Sequence, residues 1–122
     1  MPTDPPPVTM FEAVRRAVDA CDDGSAPDAL DELLERFEDD DEPIAAVEDI
    51  EVRLDETVGP RDPVDDPPAF VMACAIIVYL AHRRDEAEAD ATELLRLTAR
   101  AEFDGHPPPA VASWLRQRGV SF

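Results

Sequence analysis

Apolar residues recur through most of this chain at the three- and four-residue spacing of helices, but one stretch is apolar throughout. Ala69–Ala81 reads AFVMACAIIVYLA and contains no charged residue. Asp66 precedes it as a candidate N-cap, and Pro67 and Pro68 suit the first turn of a helix. A helix that is apolar on all sides must be surrounded by other helices or by a partner chain. Thirteen residues are fewer than the ~20 that cross a bilayer, so the pattern predicts a central core helix over about 67–82.

Three amphipathic helices are predicted before this stretch. Thr9 and Glu12 form a capping box, and Ser25 with Pro27 marks a second start. A third start is predicted in the acidic turn at 39–42, because carboxylates favour the positive end of a helix. The apolar positions of the three helices are Phe11, Val14, Val18 and Cys21, then Leu30, Leu33, Leu34 and Phe37, and then Ile44, Val47, Ile50 and Leu54.

Two further helices are predicted after it. Asp85 and Glu88 can cap the first of them, and the proline turn at 106–109 separates it from the second. Their apolar positions are Ala87, Ala91, Leu94, Leu95 and Thr98, followed by Val111, Trp114 and Leu115. Because small alanines give little cover, we expect part of Ala69–Ala81 to stay open in a monomer.

These patterns predict one architecture for the chain. Met1–Val8 contains four prolines and is predicted to be an irregular arm. Residues 9–122 are predicted to form a single all-α domain, a compact bundle of five or six helices around the central apolar helix.

The charge of the chain indicates the salt conditions and the partners to which the protein is suited. There are 29 acidic residues against 11 basic ones, a net charge of −18, and every basic residue is an arginine. This Asp-rich, lysine-free composition resembles that of proteins from salt-in halophiles, where salt screens acid–acid repulsion. Such a surface repels phosphate backbones and anionic membranes, so nucleic-acid partners are not favoured and membrane binding is not expected.

The location in the cell is predicted from the start of the chain and from its thiols. Residues 1–9 have neither the basic nor the apolar segment of a signal peptide. Cys21 and Cys74 both lie on apolar faces, which is typical of core thiols rather than of a disulfide. Both features predict a cytoplasmic protein.

Candidate chemistry is sparse. Asp19, Cys21, Asp23 and Gly24 resemble the opening of an EF-hand loop, but Leu30 occupies the position of its required glutamate. The two histidines, His82 and His106, have no adjacent nucleophile, and the glycines occur singly rather than in a phosphate-binding loop. We therefore predict no catalytic residue, no cofactor and no metal site.

The arginines give the remaining signal. Glu12–Arg16, Glu32–Arg36 and Asp49–Arg53 are spaced as ion pairs within helices. Arg116 and Arg118 have no acid within four residues. Together with Trp114 they could contact an anion, a nucleic acid or a partner protein. Alternatively, the two arginines complement the end of a helix and dock on acids elsewhere in the chain.

Three functions remain open at this point. The first is a non-catalytic helical interaction or scaffold protein, forming a homodimer or binding a protein partner. The second is a nucleic-acid or anion-binding regulator that uses Arg116, Arg118 and Trp114. The third is a small-ligand binder or an enzyme with Tyr79, His82 and Arg83 at the mouth of a pocket.

Overall fold

The computed structural model describes residues 9–60, 62, 65–82 and 90–122. Six α-helices account for most of this part of the chain and confirm the predicted all-α bundle. They are α1 (Met10–Cys21), α2 (Pro27–Arg36), α3 (Ile50–Val58), α4 (Pro68–His82), α5 (Ala91–Phe103) and α6 (Pro109–Gln117). A short 3₁₀-helix, Ile44–Ala46, precedes α3. The predicted arm, Met1–Val8, lies outside the described residues.

The predicted central helix is confirmed as α4. It contacts every other α-helix and the 3₁₀-helix, and its most extensive contact is with α1. No residue from 69 to 81 is exposed. Ten of these residues are buried, whereas Phe70, Ala75 and Ala81 are half-buried, so a small part of the stretch stays open in the single chain, as predicted. No helix of the described ranges is both long enough and apolar enough to span a bilayer.

The start of α1 shows how its free backbone N–H groups are satisfied. As predicted, Thr9 is the N-cap, and its hydroxyl oxygen accepts from the backbone N–H of Glu12 at 3.1 Å. The N–H groups of Met10 and Phe11 donate to the carbonyls of Glu42 (2.8 Å) and Asp40 (3.0 Å). The first three N–H groups of the helix, which have no partner within it, thus all find acceptors. The acidic turn after α2 supplies two of them through its backbone.

The predicted third helix is shorter than expected. Ile44 is buried in the 3₁₀-helix, and α3 begins only at Ile50, where the Asp49 side chain caps the N–H of Val52 at 3.3 Å. Pro43 explains part of the difference, because a proline disfavours helical geometry in the residue before it. The acidic turn at 39–42 therefore precedes the 3₁₀-helix instead of starting an α-helix.

Two predicted N-caps, Ser25 and Asp66, are also wrong, although Pro27 and Pro68 do fall in the first turns of their helices as predicted. The N-cap of α2 is Ala26, because Ser25 instead hydrogen-bonds the carboxylate of Asp23. Helix α4 begins at Pro68, and Asp66 accepts from the backbone of Asp62 at 2.6 Å.

Helix α5 begins later than predicted. It starts at Ala91 after the N-cap Asp90, which accepts from the N–H of Glu93 at 2.8 Å. Ala91 is exposed rather than on the core face, whereas Leu94, Leu95 and Thr98 are buried. The predicted cap residues Asp85 and Glu88, and the apolar Ala87, lie outside the described residues.

Candidate functional site

The aromatic and basic residues of α6 face the end of α1. Trp114 is 6% exposed, and its indole N–H donates to Asp23 Oδ2 at 2.8 Å. The guanidinium of Arg118 donates through Nη2 to the carbonyl of Ala20 at 2.8 Å, and its Nη1 lies 3.9 Å from Asp23 Oδ2. The same guanidinium stacks on the Trp114 ring, 4.9 Å from its centroid. Two of the three predicted contact residues thus tie the C-terminal segment to α1.

The charges of this cluster are set by its hydrogen bonds. Burial acts to raise the pKa of Asp23, but hydrogen bonds from Ser25 and Trp114 and the charge of Arg118 outweigh it, so the pKa is lowered. Asp23 is therefore a carboxylate that accepts from both neighbours. Burial raises the pKa of the nearby Cys21 thiol, and the charge of Arg118 opposes this only in part. Cys21 stays protonated and is a poor nucleophile.

Arg116 differs from Arg118. Its side chain is exposed and lies over the Phe122 ring, 5.6 Å from the centroid. The structure therefore separates the two arginines, placing Arg118 on α1 and leaving Arg116 at the surface.

The predicted pocket-mouth residues occupy three different settings. Tyr79 is 5% exposed within the core, His82 is exposed at the end of α4, and Arg83 lies outside the described residues. His82 interacts electrostatically with Glu102 of α5. Burial raises the pKa of Glu102, the charge of His82 opposes that shift, and Glu51 of α3 adds to it. The ends of three helices thus bring titratable groups together here.

Within the described ranges, no three His, Cys, Asp or Glu side chains are grouped so that they could hold one metal ion.

A groove between α1 and α2 exposes apolar side chains among carboxylates. We call it the α1–α2 groove, and it has a volume of about 270 Å³. Its lining residues are Phe11, Arg15, Asp19, Leu34, Glu35 and Glu38. Phe11 and Leu34 are half-buried, although the sequence pattern placed both on core-facing stripes. The groove is therefore an apolar surface with three carboxylates and one arginine around it.

The groove continues into a second hollow toward the start of α1. This hollow has a volume of about 480 Å³ and shares Phe11, Arg15 and Glu38 with the groove. Further carboxylates line it, those of Glu12, Asp39, Asp40 and Asp41. Asp40 is already paired with Arg53, 2.7 Å away. The charge around Phe11 is consequently strongly negative.

A third hollow, of about 210 Å³, lies where α2, α3 and α4 meet. The part of its walls that the structure describes is mostly apolar and includes the carboxylates of Glu32 and Asp66. Glu32 pairs with Arg36 at 3.3 Å, and Asp66 accepts from the backbone of Asp62. Both carboxylates thus already have partners within the chain.

Comparisons of this chain with protein-family models, with curated proteins and with solved structures find no match.

Proposed function

We propose that this chain is a non-catalytic helical interaction protein, adapted to high salt and acting in the cytoplasm, which binds a protein partner at the α1–α2 groove. The observation that carries the proposal is the partial exposure of Phe11 and Leu34 in one groove. Bulky apolar side chains at the surface of a concave site are typical anchors for protein partners.

Most of the apolar surface of the central helix is buried within the chain, which leaves the α1–α2 groove as a better candidate for binding a partner. Because helices of its own chain bury most of α4, a partner can reach Ala69–Ala81 only at half-buried positions such as Phe70. The half-buried Phe11 and Leu34 offer a second apolar surface, which is open to a protein partner or to a second copy of the chain.

The contacts of α6 favour interaction with protein over binding of nucleic acid. Arg118 and Trp114 already contact Asp23, and Arg118 also binds the carbonyl of Ala20. Arg116 remains exposed, but a single guanidinium on a chain of net charge −18 is weak attraction for a phosphate backbone. An enzyme or small-ligand site at Tyr79 has less support, because that side chain is buried in the core.

Site-specific photo-crosslinking tests the proposed function. A photoreactive residue replaces the exposed Glu38 of the groove, and in a control it replaces the exposed Ser113 of α6. In native extract at molar KCl, we expect a crosslinked protein from the first position that the second does not capture. Mass spectrometry then distinguishes a second copy of this chain from another protein, and light scattering checks the mass of the purified chain. The same products from both positions would contradict the proposal.

A further inference from the structure

The α1–α2 groove also indicates the chemistry of its partner, an inference that rests on the proposed function. We propose that the groove binds a basic segment of another protein that carries a bulky apolar anchor, in the manner of a helix laid into a groove. Phe11 and Leu34 contact the anchor, and the surrounding carboxylates pair with arginine or lysine on either side of it.

The size of the groove suits such an anchor. A cavity of about 150 Å³ can hold a benzene ring, and the groove encloses about 270 Å³. One large aliphatic or aromatic side chain can therefore enter between Phe11 and Leu34. Phe11 is the more available of the two, since Leu34 also packs against the core.

The charges around the groove favour basic residues on either side of the partner's apolar anchor. Asp19, Glu35 and Glu38 line it, and among the described residues of its lining Arg15 is the only basic one. The adjoining hollow adds carboxylates toward the start of α1, including the exposed Asp39 and Asp41. A cationic segment neutralises this surface, and arginine can bind a carboxylate through two parallel hydrogen bonds.

A second copy of the chain is a poorer occupant. In a dimer formed through this groove, the carboxylates of one copy would lie against the same carboxylates of the other, with a single Arg15 on each side. Like charges in contact oppose association. Molar salt weakens this repulsion, because the Debye length falls to about 3 Å at 1 M. Salt also weakens the attraction of a cationic segment, because the carboxylates around the groove are exposed. High salt therefore reduces the preference for a basic partner but does not reverse it.

Labelled synthetic peptides provide the test. The first peptide is helical, with two leucines one turn apart and arginines beside them. In the second peptide glutamate replaces arginine, and in the third serine replaces leucine. Fluorescence anisotropy at about 0.5 M KCl, where the Debye length is still several ångströms, measures binding. We expect the first peptide to bind and each of the others to bind at least about tenfold more weakly.

Matched variants of the protein locate the binding. Phe11→Ser is expected to weaken binding of the first peptide about tenfold, whereas Val52→Ser, at an apolar position 47% exposed on α3, leaves it unchanged. The pair Glu35→Gln with Glu38→Gln is compared with Glu48→Gln plus Glu56→Gln, since all four side chains are exposed. Only the first pair is expected to weaken binding. This charge comparison remains informative if Phe11→Ser does not fold.

The outcomes separate this inference from the proposed function. Equal binding of the arginine and glutamate peptides, or equal effects of the two charge pairs, overturns the inference. Failure of all three peptides while Glu38 crosslinks a protein overturns the inference alone. If Glu38 crosslinks only a second copy of the chain, the inference is overturned and the groove is identified as a dimer interface. No crosslink at Glu38 together with no peptide binding overturns both proposals.

Discussion

Thr98 lies on the core side of α5 with its hydroxyl fully buried. Among the described residues, this oxygen has no hydrogen-bond partner. A buried hydroxyl without a partner loses its hydrogen bonds to water and gains nothing in return. The sequence pattern assigned Thr98 correctly to the apolar face of its helix, but the pattern carries no information on whether its oxygen finds an acceptor.

We therefore expect Thr98→Val to stabilise the protein by about 1 kcal/mol, because a methyl group replaces an unsatisfied hydroxyl of similar volume. The midpoint of chemical denaturation measures the change. Thr57→Val is the matched control, since the Thr57 hydroxyl donates to the Arg53 carbonyl at 2.8 Å. That variant is expected to be neutral or destabilising. Loss of stability in Thr98→Val would indicate that its hydroxyl is satisfied in solution.

Ion pairs show which contacts local spacing can predict. Glu32–Arg36 forms as expected, at 3.3 Å. Arg53, however, pairs with Asp40 at 2.7 Å and with Glu42 at 3.0 Å. Asp49, its expected partner, caps the helix instead. The sequence alone does not indicate which of these carboxylates pairs with Arg53, because the pairing depends on where the acidic turn packs against α3.

At the scale of the helix, sequence spacing also misplaced Phe11 and Leu34, which it assigned to the core although both are half-buried. Successive residues of an α-helix are about 100° apart. The buried residues of α1 centre on Met10, Ala17 and Cys21, so Phe11 falls at the edge of the buried face. The apolar positions predicted for this helix included its large side chains but left out its alanines. Including alanine as a core residue could have identified Phe11 as a surface candidate.

Helix α4 was the most predictable element, since thirteen uncharged residues leave few alternatives to burial. Ile76 and Ile77 are both fully buried although they point in different directions from the helix. Ile76→Asp and Ile77→Asp are each expected to abolish cooperative folding. An unpaired buried charge costs several kcal/mol, against a total stability of about 5–15 kcal/mol.

Circular dichroism during thermal unfolding checks both aspartate variants. Val52→Asp serves as the control, because its position on α3 is 47% exposed and the variant should stay folded. A cooperative transition in either Ile76→Asp or Ile77→Asp would show that one side of α4 is accessible.

At the scale of the whole molecule, the net charge of −18 governs stability. Self-repulsion destabilises a compact chain, and salt screens it. We expect the thermal midpoint to rise steeply between about 0.1 M and 2 M KCl at constant pH, because the Debye length shrinks from about 10 Å to below 3 Å. An unchanged midpoint would contradict this prediction.

A variant with less charge separates screening from other effects of salt. Asp31→Asn, Glu48→Gln and Glu56→Gln change exposed residues and reduce the net charge from −18 to −15. Its midpoint should depend less on KCl than that of the original chain. Equal dependence would assign the stabilisation to general salt effects on apolar surface.

The sequence predicted the fold class better than the partners of its functional candidates. Helical spacing is local, so the bundle and its central element could be read from it. The partners of Trp114 and Arg118, in contrast, lie 91 and 98 residues away along the chain, at Asp23 and Ala20. Only the folded chain shows that these two side chains are held against α1.

The backbone contacts of Met10 and Phe11 have a consequence for how the molecule opens. Helix ends commonly fray, and their amide hydrogens then exchange quickly with solvent. Here both amides donate to the acidic turn, whose side chains hold Arg53 of α3. The first turn of α1 can unwind only if this turn detaches as well. Its amide hydrogens should therefore exchange as slowly as those of a helix interior, so that α1, the turn and α3 open as one cooperative unit.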